Sequence, residues 1–234
     1  MTKVLGRRTA AEFLGTAFLE MAVVGSGVMA SRLSPNDVGL QLLQNSLATG
    51  AALVALILAL QPVSASFNPV VTFVERALGM IDTPTAAVLA SAQVLGGLAG
   101  TVTANLMFGL PAASLSTHER SGPGLWLAEV IATAGLLVIV FGTVRSGRAD
   151  RVAFAVGGYI AAAYWFTSST SFANPAVTIA RTITDTFSGI APASAPGFIL
   201  AQLAAGVLGF ALIRFLYPVP SASADIAADR KVLT

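Results

Sequence analysis

The chain carries one short motif twice, at matching points of its two hydrophobic halves. Asn68-Pro69 and Asn174-Pro175 each stand between two apolar runs, and the two asparagines are 106 residues apart. Asparagine caps the free N–H groups at a helix start, and proline is preset for the first helical position. A single such motif is common and marks a surface turn, but a matched pair is not. The pair therefore predicts two half-membrane helices that meet tip to tip.

The composition indicates an integral membrane protein. Of the 234 residues, 55% are hydrophobic and only 10% are charged, against about 25% charged in soluble domains. The mean hydropathy is +0.79. With no cysteine and one histidine, His118, we expect no disulfide, metal site or cofactor. A net charge of +2 gives no reason to expect nucleic acid as a partner.

Six stretches are long and apolar enough to span a membrane, which takes about 20 residues. They cover roughly residues 9–31, 40–61, 84–108, 124–145, 150–168 and 196–217. The two Asn-Pro stretches, about 68–79 and 174–185, would be only about 15–18 Å long as helices, roughly half the hydrocarbon core. We therefore interpret them as re-entrant segments.

The two halves repeat beyond these motifs. Ala11-Glu12 in the first half matches Ala128-Glu129 in the second, and Ala92-Gln93 matches Ala201-Gln202. Three spans per half is an odd number, so the second half must lie inverted in the membrane. Inverted repeats with paired broken helices place a solute pathway between the repeats. We predict one transmembrane channel domain, 1–217, with repeats at about 9–108 and 124–217.

Basic residues predict the orientation. Those that fall on one side of six spans are Lys3, Arg7, Arg8, Arg145, Arg148, Arg151, Arg214, Arg230 and Lys231. The positive-inside rule places this side, and both termini, in the cytoplasm. We predict that residues 218–234 form a disordered cytoplasmic tail.

The chain resembles the major intrinsic proteins, the aquaporins and aquaglyceroporins. The resemblance rests on six spans, a glutamate in spans one and four, and Asn-Pro half-helices after spans two and five. The second half looks closest to the bacterial arsenic-operon aquaglyceroporins of the AqpS type. The resemblance implies an all-α membrane protein: a right-handed bundle of six transmembrane helices with two re-entrant half-helices. It also implies a passive channel, a homotetramer surrounded by membrane lipid, and the bacterial inner membrane as location.

The resemblance assigns roles to the repeated residues. Asn68 and Asn174 would cap the half-helices and face the pore, where two positive helix ends repel protons and cations. Pro175 and Ala176 complete the usual motif, whereas the first reads Asn68-Pro69-Val70, with valine where alanine is usual. Glu12 and Glu129 would accept hydrogen bonds from the re-entrant loops. Glu20 has no counterpart in the second half, and the sequence gives no account of it.

The same resemblance locates a selectivity filter by counting from the two asparagines. The four positions are Ala48, Ala162, Ser171 and Val177. None is aromatic and none is the arginine that narrows typical pores and rejects cations. We therefore expect a wide, weakly polar opening that admits glycerol-like polyols, urea, water and metalloid hydroxides such as arsenous acid (arsenite).

Arg181 allows two interpretations. It lies four residues past Val177 and could add positive charge to the outer vestibule. Alternatively, it anchors the chain at the interface through an ion pair with Asp185, four residues further on. We favour the ion pair.

Two other functions remain open from the sequence. A proton-coupled secondary transporter would use Glu12, Glu20 or Glu129 for coupling. An ion-conducting pore is conceivable because the filter lacks arginine. An enzyme is not expected, since the chain has no nucleophile–base pair, metal cluster or phosphate-binding loop.

Overall fold

The computed structural model describes residues 2–218, so the predicted tail, apart from Pro218, lies outside the described residues. These residues form α-helices and short 3-10 turns. The helices are α1 (Lys3–Leu33), α2 (Val38–Leu60), α3 (Pro69–Ala77), α4 (Thr83–Met107), α5 (Pro123–Arg145), α6 (Val152–Phe166), α7 (Pro175–Ala180) and α8 (Ala195–Leu216).

Six of these helices correspond to the six predicted spans, and α3 and α7 correspond to the two half-helices. By length and composition, α1, α2, α4, α5 and α8 can each cross a membrane. The fifth predicted span, 150–168, is shorter than expected, since α6 has only 15 residues. The first residues of the predicted span form a 3-10 turn, Ala149–Arg151, and the backbone becomes extended at Thr167.

The same packing recurs in each half of the chain. In the first half α1 packs against α4 and α2, and in the second α5 packs against α8 and α6. Contacts between α2 and α6 join the halves. The short helices α3 and α7 both pack between α4 and α8. Their N-terminal ends consequently meet in the middle of the bundle.

The closest helix crossing is between α1 and α4, and glycine makes it possible. A Cβ on Gly96 would overlap the carbonyl oxygen of Phe13, and a Cβ on Gly100 would overlap that of Ala17. Small residues at such crossings let two backbones approach, which is how helices gain packing energy in a bilayer.

Gly100→Ala is therefore expected to lower the free energy of unfolding by about 1–3 kcal/mol, because the added methyl forces α1 and α4 apart. Gly158→Ala on α6 is the matched control, since nothing lies within 4 Å of a Cβ built there. The control should be neutral or slightly stabilising. Thermal unfolding in detergent measures both, and equal melting temperatures would contradict the close-crossing argument.

Candidate functional site

Asn68 and Asn174 begin the two half-helices, with Pro69 and Pro175 as the first helical residues. The Oδ1 atom of each asparagine accepts a hydrogen bond from the backbone N–H two residues further on, at 3.0 Å in both cases. The cap satisfies a backbone donor that a helix start otherwise leaves free. Both side chains are almost fully buried at the centre of the bundle.

The two asparagines also bind each other's loops. Asn68 Nδ2 donates to the carbonyl oxygen of Ala173, and Asn174 Nδ2 donates to that of Phe67, both at 2.7 Å. Each side-chain amide thus uses its oxygen on its own helix and one N–H on the opposite loop. The two half-helices are joined tip to tip by this reciprocal pair of hydrogen bonds.

The loops reach this contact through an uncommon backbone conformation. Phe67 and Ala173, the residues just before the two asparagines, have φ of 47° and 50°. Residues other than glycine adopt the left-handed region at a cost of order 1–3 kcal/mol, and only where their surroundings hold them there. The turn directs both carbonyl oxygens at the opposite asparagine.

Glu12 holds the first loop. One carboxylate oxygen accepts hydrogen bonds from Ser64 Oγ at 2.5 Å and the Ser66 N–H at 2.9 Å. The other accepts from the Phe67 N–H at 2.7 Å and from Gln93 Nε2 at 2.8 Å. Glu12 is fully buried, so its four donors replace the water that a carboxylate otherwise requires.

Glu129 repeats this arrangement on the second loop. Its carboxylate accepts from Ser169 Oγ at 2.7 Å and from the backbone N–H groups of Phe172 and Ala173 at 2.9 and 2.8 Å. The fourth donor is Gln202 Nε2, at 2.6 Å. In both halves the carboxylate therefore fixes the left-handed residue that precedes the asparagine.

Two glutamines complete these clusters, a role that was not predicted from the sequence. Gln93 Nε2 also donates to Thr72 Oγ1, and Gln202 Nε2 donates to Thr178 Oγ1, both at 2.9 Å. Each glutamine thereby links the carboxylate to the half-helix of its own repeat. The signal was present, because both glutamines stand in the repeated Ala-Gln pairs.

A cavity of about 330 Å³ runs past the junction and is lined by both halves. At one end, called the Glu75 end, the wall includes Arg8, Gln61, Ser66 and Glu75. Apolar side chains of α1, α2, α5 and α6 line its middle, together with Asn174. At the opposite end, called the Arg181 end, the wall includes Thr49, Tyr164, Ser171, Phe172, Val177 and Arg181.

Of the four predicted filter positions, two line the cavity and two do not. Ser171 and Val177 lie on the wall of the cavity, but Ala48 and Ala162 do not, and Ala162 is exposed on the outside of the bundle. In their place, α2 and α6 present Thr49 and Tyr164. One residue turns a helix by about 100°, so a shift of one position in α2, from 48 to 49, and of two positions in α6, from 162 to 164, exchanges an outer residue for a wall residue.

Thr49 and Tyr164 form a hydroxyl pair, with 3.2 Å between Oγ1 and the phenolic oxygen. Ser171 Oγ, nearby on the wall, is buried and has no hydrogen-bond partner among residues 2–218. Phe172 and Val177 add apolar surface at the same end. This end of the cavity therefore presents hydroxyl groups as well as hydrocarbon.

Arg181 lies on the cavity wall and is 2% exposed. Its guanidinium carbon is 3.5 Å from the centroid of the Phe172 ring, and its Nε donates to the carbonyl oxygen of Ser188. Asp185, the predicted partner, instead accepts hydrogen bonds from the backbone and hydroxyl of Thr117, at 2.8 and 3.0 Å. The favoured ion pair between Arg181 and Asp185 was wrong, and Arg181 instead lies on the cavity wall.

Arg120 adds a second cation behind the same ring. Its guanidinium carbon is 5.4 Å from the Phe172 centroid, and it donates to the carbonyl oxygens of Gly189 and Phe187. Burial, together with the nearby charge of Arg181, lowers the pKa of Arg120 to about 10. It therefore stays charged near neutral pH, and the Arg181 end is positive.

Comparison with known proteins decides the family. Residues 2–164 match the sequence model of the family described as "Major intrinsic protein". The chain belongs to the major intrinsic protein family. It is 49% identical over 213 residues to the Aquaglyceroporin AqpS of Rhizobium meliloti (strain 1021), which covers 91% of each chain. The predicted family and the likeness to AqpS-type proteins are confirmed.

A more distant relative and a solved structure are also similar to this chain. The Lens fiber major intrinsic protein of Gallus gallus is 31% identical over 172 residues, 68% of this chain and 63% of its own. The X-ray structure of the aquaglyceroporin from Plasmodium falciparum superposes with a TM-score of 0.70 at 20% identity, covering 95% of this chain and 99% of that one. The predicted aquaporin-like fold is confirmed, and this major intrinsic protein is a channel, not an enzyme.

The unusual Val70 is accommodated by a glycine on α8. Val70 is buried against Leu137 and Ile213. A Cβ on Gly206 would lie 3.0 Å from Val70 Cγ1, so the missing side chain of Gly206 leaves the room that valine needs. In this major intrinsic protein the larger side chain of Val70 is thus matched by the small residue that faces it.

Glu20 faces α4, away from the cavity. It is fully buried, and Thr101 Oγ1 lies 3.3 Å from its Oε2. Its Oε1 has no hydrogen-bond partner within the described part of the chain. Since Glu20 does not line the pathway of this major intrinsic protein, it is poorly placed to couple a proton to a passing solute.

Proposed function

We propose that this aquaglyceroporin-like channel passes small uncharged solutes down their gradients: glycerol-like polyols, urea, water and metalloid hydroxides such as arsenous acid. The observation that carries the proposal is the composition of the Arg181 end. Val177, not arginine, stands beside Ser171, and the charge of Arg181 sits on the wall one helical turn beyond.

The Arg181 end suits solutes that present both hydroxyl groups and a hydrocarbon edge. Ser171 Oγ, which has no partner in the part of the chain that the structure describes, and the Thr49–Tyr164 pair can exchange hydrogen bonds with hydroxyl groups. Phe172 and Val177 can contact a hydrocarbon edge. Glycerol offers both faces, and arsenous acid resembles glycerol in size and hydroxyl display. We therefore propose a filter formed by Thr49, Tyr164, Ser171 and Val177, with Arg181 in the vestibule.

The carboxylates support a passive channel over a proton-coupled transporter. The partners of Glu12 and Glu129 are all donors, and none of the eight is a titratable group. A proton relay through these carboxylates needs a hydrogen-bonded partner that can accept the proton. We assign both glutamates to the support of the re-entrant loops.

The assembly is proposed from the family. We infer a homotetramer in a bacterial inner membrane, with one pathway per subunit and both termini in the cytoplasm. Large exposed apolar side chains cover the outside of the helices, for example Leu14 and Leu95 beside the groove between α1 and α4. Lipid tails or neighbouring subunits would cover such surface.

A panel of solutes in proteoliposomes tests the proposal. Stopped-flow permeabilities for water, glycerol, urea and arsenous acid should all exceed those of empty liposomes and scale with the solute gradient. They should not change when a proton gradient is imposed or collapsed. Flux that saturates and vanishes with the proton gradient would favour the secondary transporter, and ionic current across a planar bilayer would favour the ion pore.

Val177→Arg tests the filter. The substitution inserts a long cation with five N–H donors beside Ser171 and Phe172. It should narrow the passage, so the ratio of glycerol to water permeability should fall by about tenfold, equivalent to about 1.4 kcal/mol of added barrier. Liposome swelling measures the ratio.

Arg181→Ala in the same liposomes is the comparison variant. We expect it to change the ratio less than Val177→Arg, because Arg181 lies beyond the filter in the wider vestibule. An unchanged ratio in Val177→Arg, together with a clear change in Arg181→Ala, would mean that Arg181 forms the filter.

A further inference from the structure

Glu75 and Arg181 occupy equivalent positions in the two repeats. Each stands seven residues after the asparagine of its motif, and each lies on the cavity wall. Because α3 and α7 meet at their N-terminal ends, residues that follow them by equal distances lie at opposite ends of the cavity. The repeat thus places an acid at one end and a base at the other.

Glu75 is held with one carboxylate oxygen unused. Ser66 Oγ donates to its Oε1 at 3.1 Å, while its Oε2 is enclosed and has no partner among residues 2–218. Arg8 lines the same end of the cavity. The nearby Glu12 is saturated by its own four donors. Burial raises the pKa of Glu75 and the nearby charge of Glu12 adds to this, whereas the hydrogen bond from Ser66 and the charge of Arg8 favour the ionised form.

The other charges and dipoles along this wall are positive. Of the described residues that line the cavity, the charged ones are Arg8, Glu75 and Arg181, and Glu75 is the one acid. The N-terminal ends of α3 and α7, each worth about half a positive charge, meet at the centre. Cations are therefore opposed at the centre and at Arg181, whereas Glu75 is the one charged group among the described wall residues that repels an anion.

We propose that Glu75 is the anion-excluding, specificity-determining residue of this channel. By opposing anions at its own end, Glu75 makes the pathway accept a neutral hydroxylated or weakly acidic solute and reject the corresponding anion. The inference rests on the proposed function, because it requires that the cavity conducts solute.

The test measures formate and glycerol permeability in the same proteoliposomes near neutral pH, as a ratio. Glu75→Gln keeps the shape of the side chain and removes its charge. It should raise the formate-to-glycerol ratio by about tenfold, since a unit charge in a partly solvated site alters an ion's barrier by at least that factor. Glu75→Asp, which keeps the charge, should stay near the wild-type ratio. So should Glu119→Gln, which removes an exposed acid away from the cavity.

Combining Glu75→Gln with Arg181→Gln adds a second test, because the double variant loses the cation that attracts anions. Its ratio should fall below that of Glu75→Gln. If Glu75→Gln does not insert, Glu75→Ala replaces it, since that change leaves only the Ser66 hydroxyl unpaired. A wild-type ratio in the neutral variant, with normal glycerol flux, overturns this proposal alone. Glycerol flux in the wild-type protein equal to that of empty liposomes overturns the proposed function and this inference with it.

Discussion

Glu129→Ala is expected to lower the free energy of unfolding by about 2–6 kcal/mol, because it strands the backbone donors of Phe172 and Ala173 in the interior, each at about 1–3 kcal/mol. The hydroxyl of Ser169 and the amide of Gln202 lose a partner as well. The same reasoning applies to Glu12→Ala in the first half. Thermal unfolding in detergent is the direct measurement.

The glutamine variants separate hydrogen bonding from charge. A glutamine keeps one oxygen acceptor but turns an NH₂ group toward donors, so Glu129→Gln should be less damaging than Glu129→Ala and still less stable than the wild type. The order of melting temperatures should be the same at Glu12. Equal losses for alanine and glutamine at either site would instead indicate a role that depends on charge, such as coupling.

Asn174→Asp should reduce the flux of neutral solutes by about tenfold or more. Asparagine Nδ2 donates to the carbonyl oxygen of Phe67 at 2.7 Å, and aspartate would place an oxygen there instead. Loss of that donor and repulsion between two oxygens together exceed about 1.4 kcal/mol, which is a factor of ten. Asn68→Asp should behave alike, since its Nδ2 makes the equivalent bond to Ala173.

Asn36→Asp is the matched control for both variants, because Asn36 is exposed in the turn between α1 and α2. It makes the same chemical change away from the cavity and should leave glycerol flux unaltered. Stopped-flow swelling of liposomes with equal amounts of inserted protein gives the comparison. Wild-type flux through both buried variants would show that the tip-to-tip contact is not needed for conduction.

The repeated elements were predictable from the sequence because each is specified locally and appears twice. Asn-Pro fixes a helix start wherever it stands, so Asn68 and Asn174 located the starts of α3 and α7, but both helices end before the predicted bounds, at Ala77 and Ala180. A carboxylate in an apolar span requires buried donors, so the sequence could assign partners in the loops to Glu12 and Glu129. It could not name those donors, since they come from residues 40 to 81 positions away.

The wall of the cavity was harder to predict because it depends on helix rotation. Counting from the asparagines selected Ala48 and Ala162, but the rotations of α2 and α6 are set by packing and not by distance along the chain. The pairing of Arg181 with Asp185 failed for a related reason. The α-helix ends at Ala180, a 3-10 turn follows, and the backbone is extended at Thr184, so the i, i+4 geometry is lost before Asp185.

The reciprocal contact at the centre uses only one side chain from each half. The partners of Asn68 and Asn174 are main-chain carbonyl oxygens, which any residue supplies. The two residues that supply them differ as much as phenylalanine, at 67, and alanine, at 173. A junction built in this way tolerates sequence drift on both sides of a duplicated chain. The two repeats could therefore diverge, so that one end of the cavity became acidic and the other basic, without loss of the contact between the half-helices.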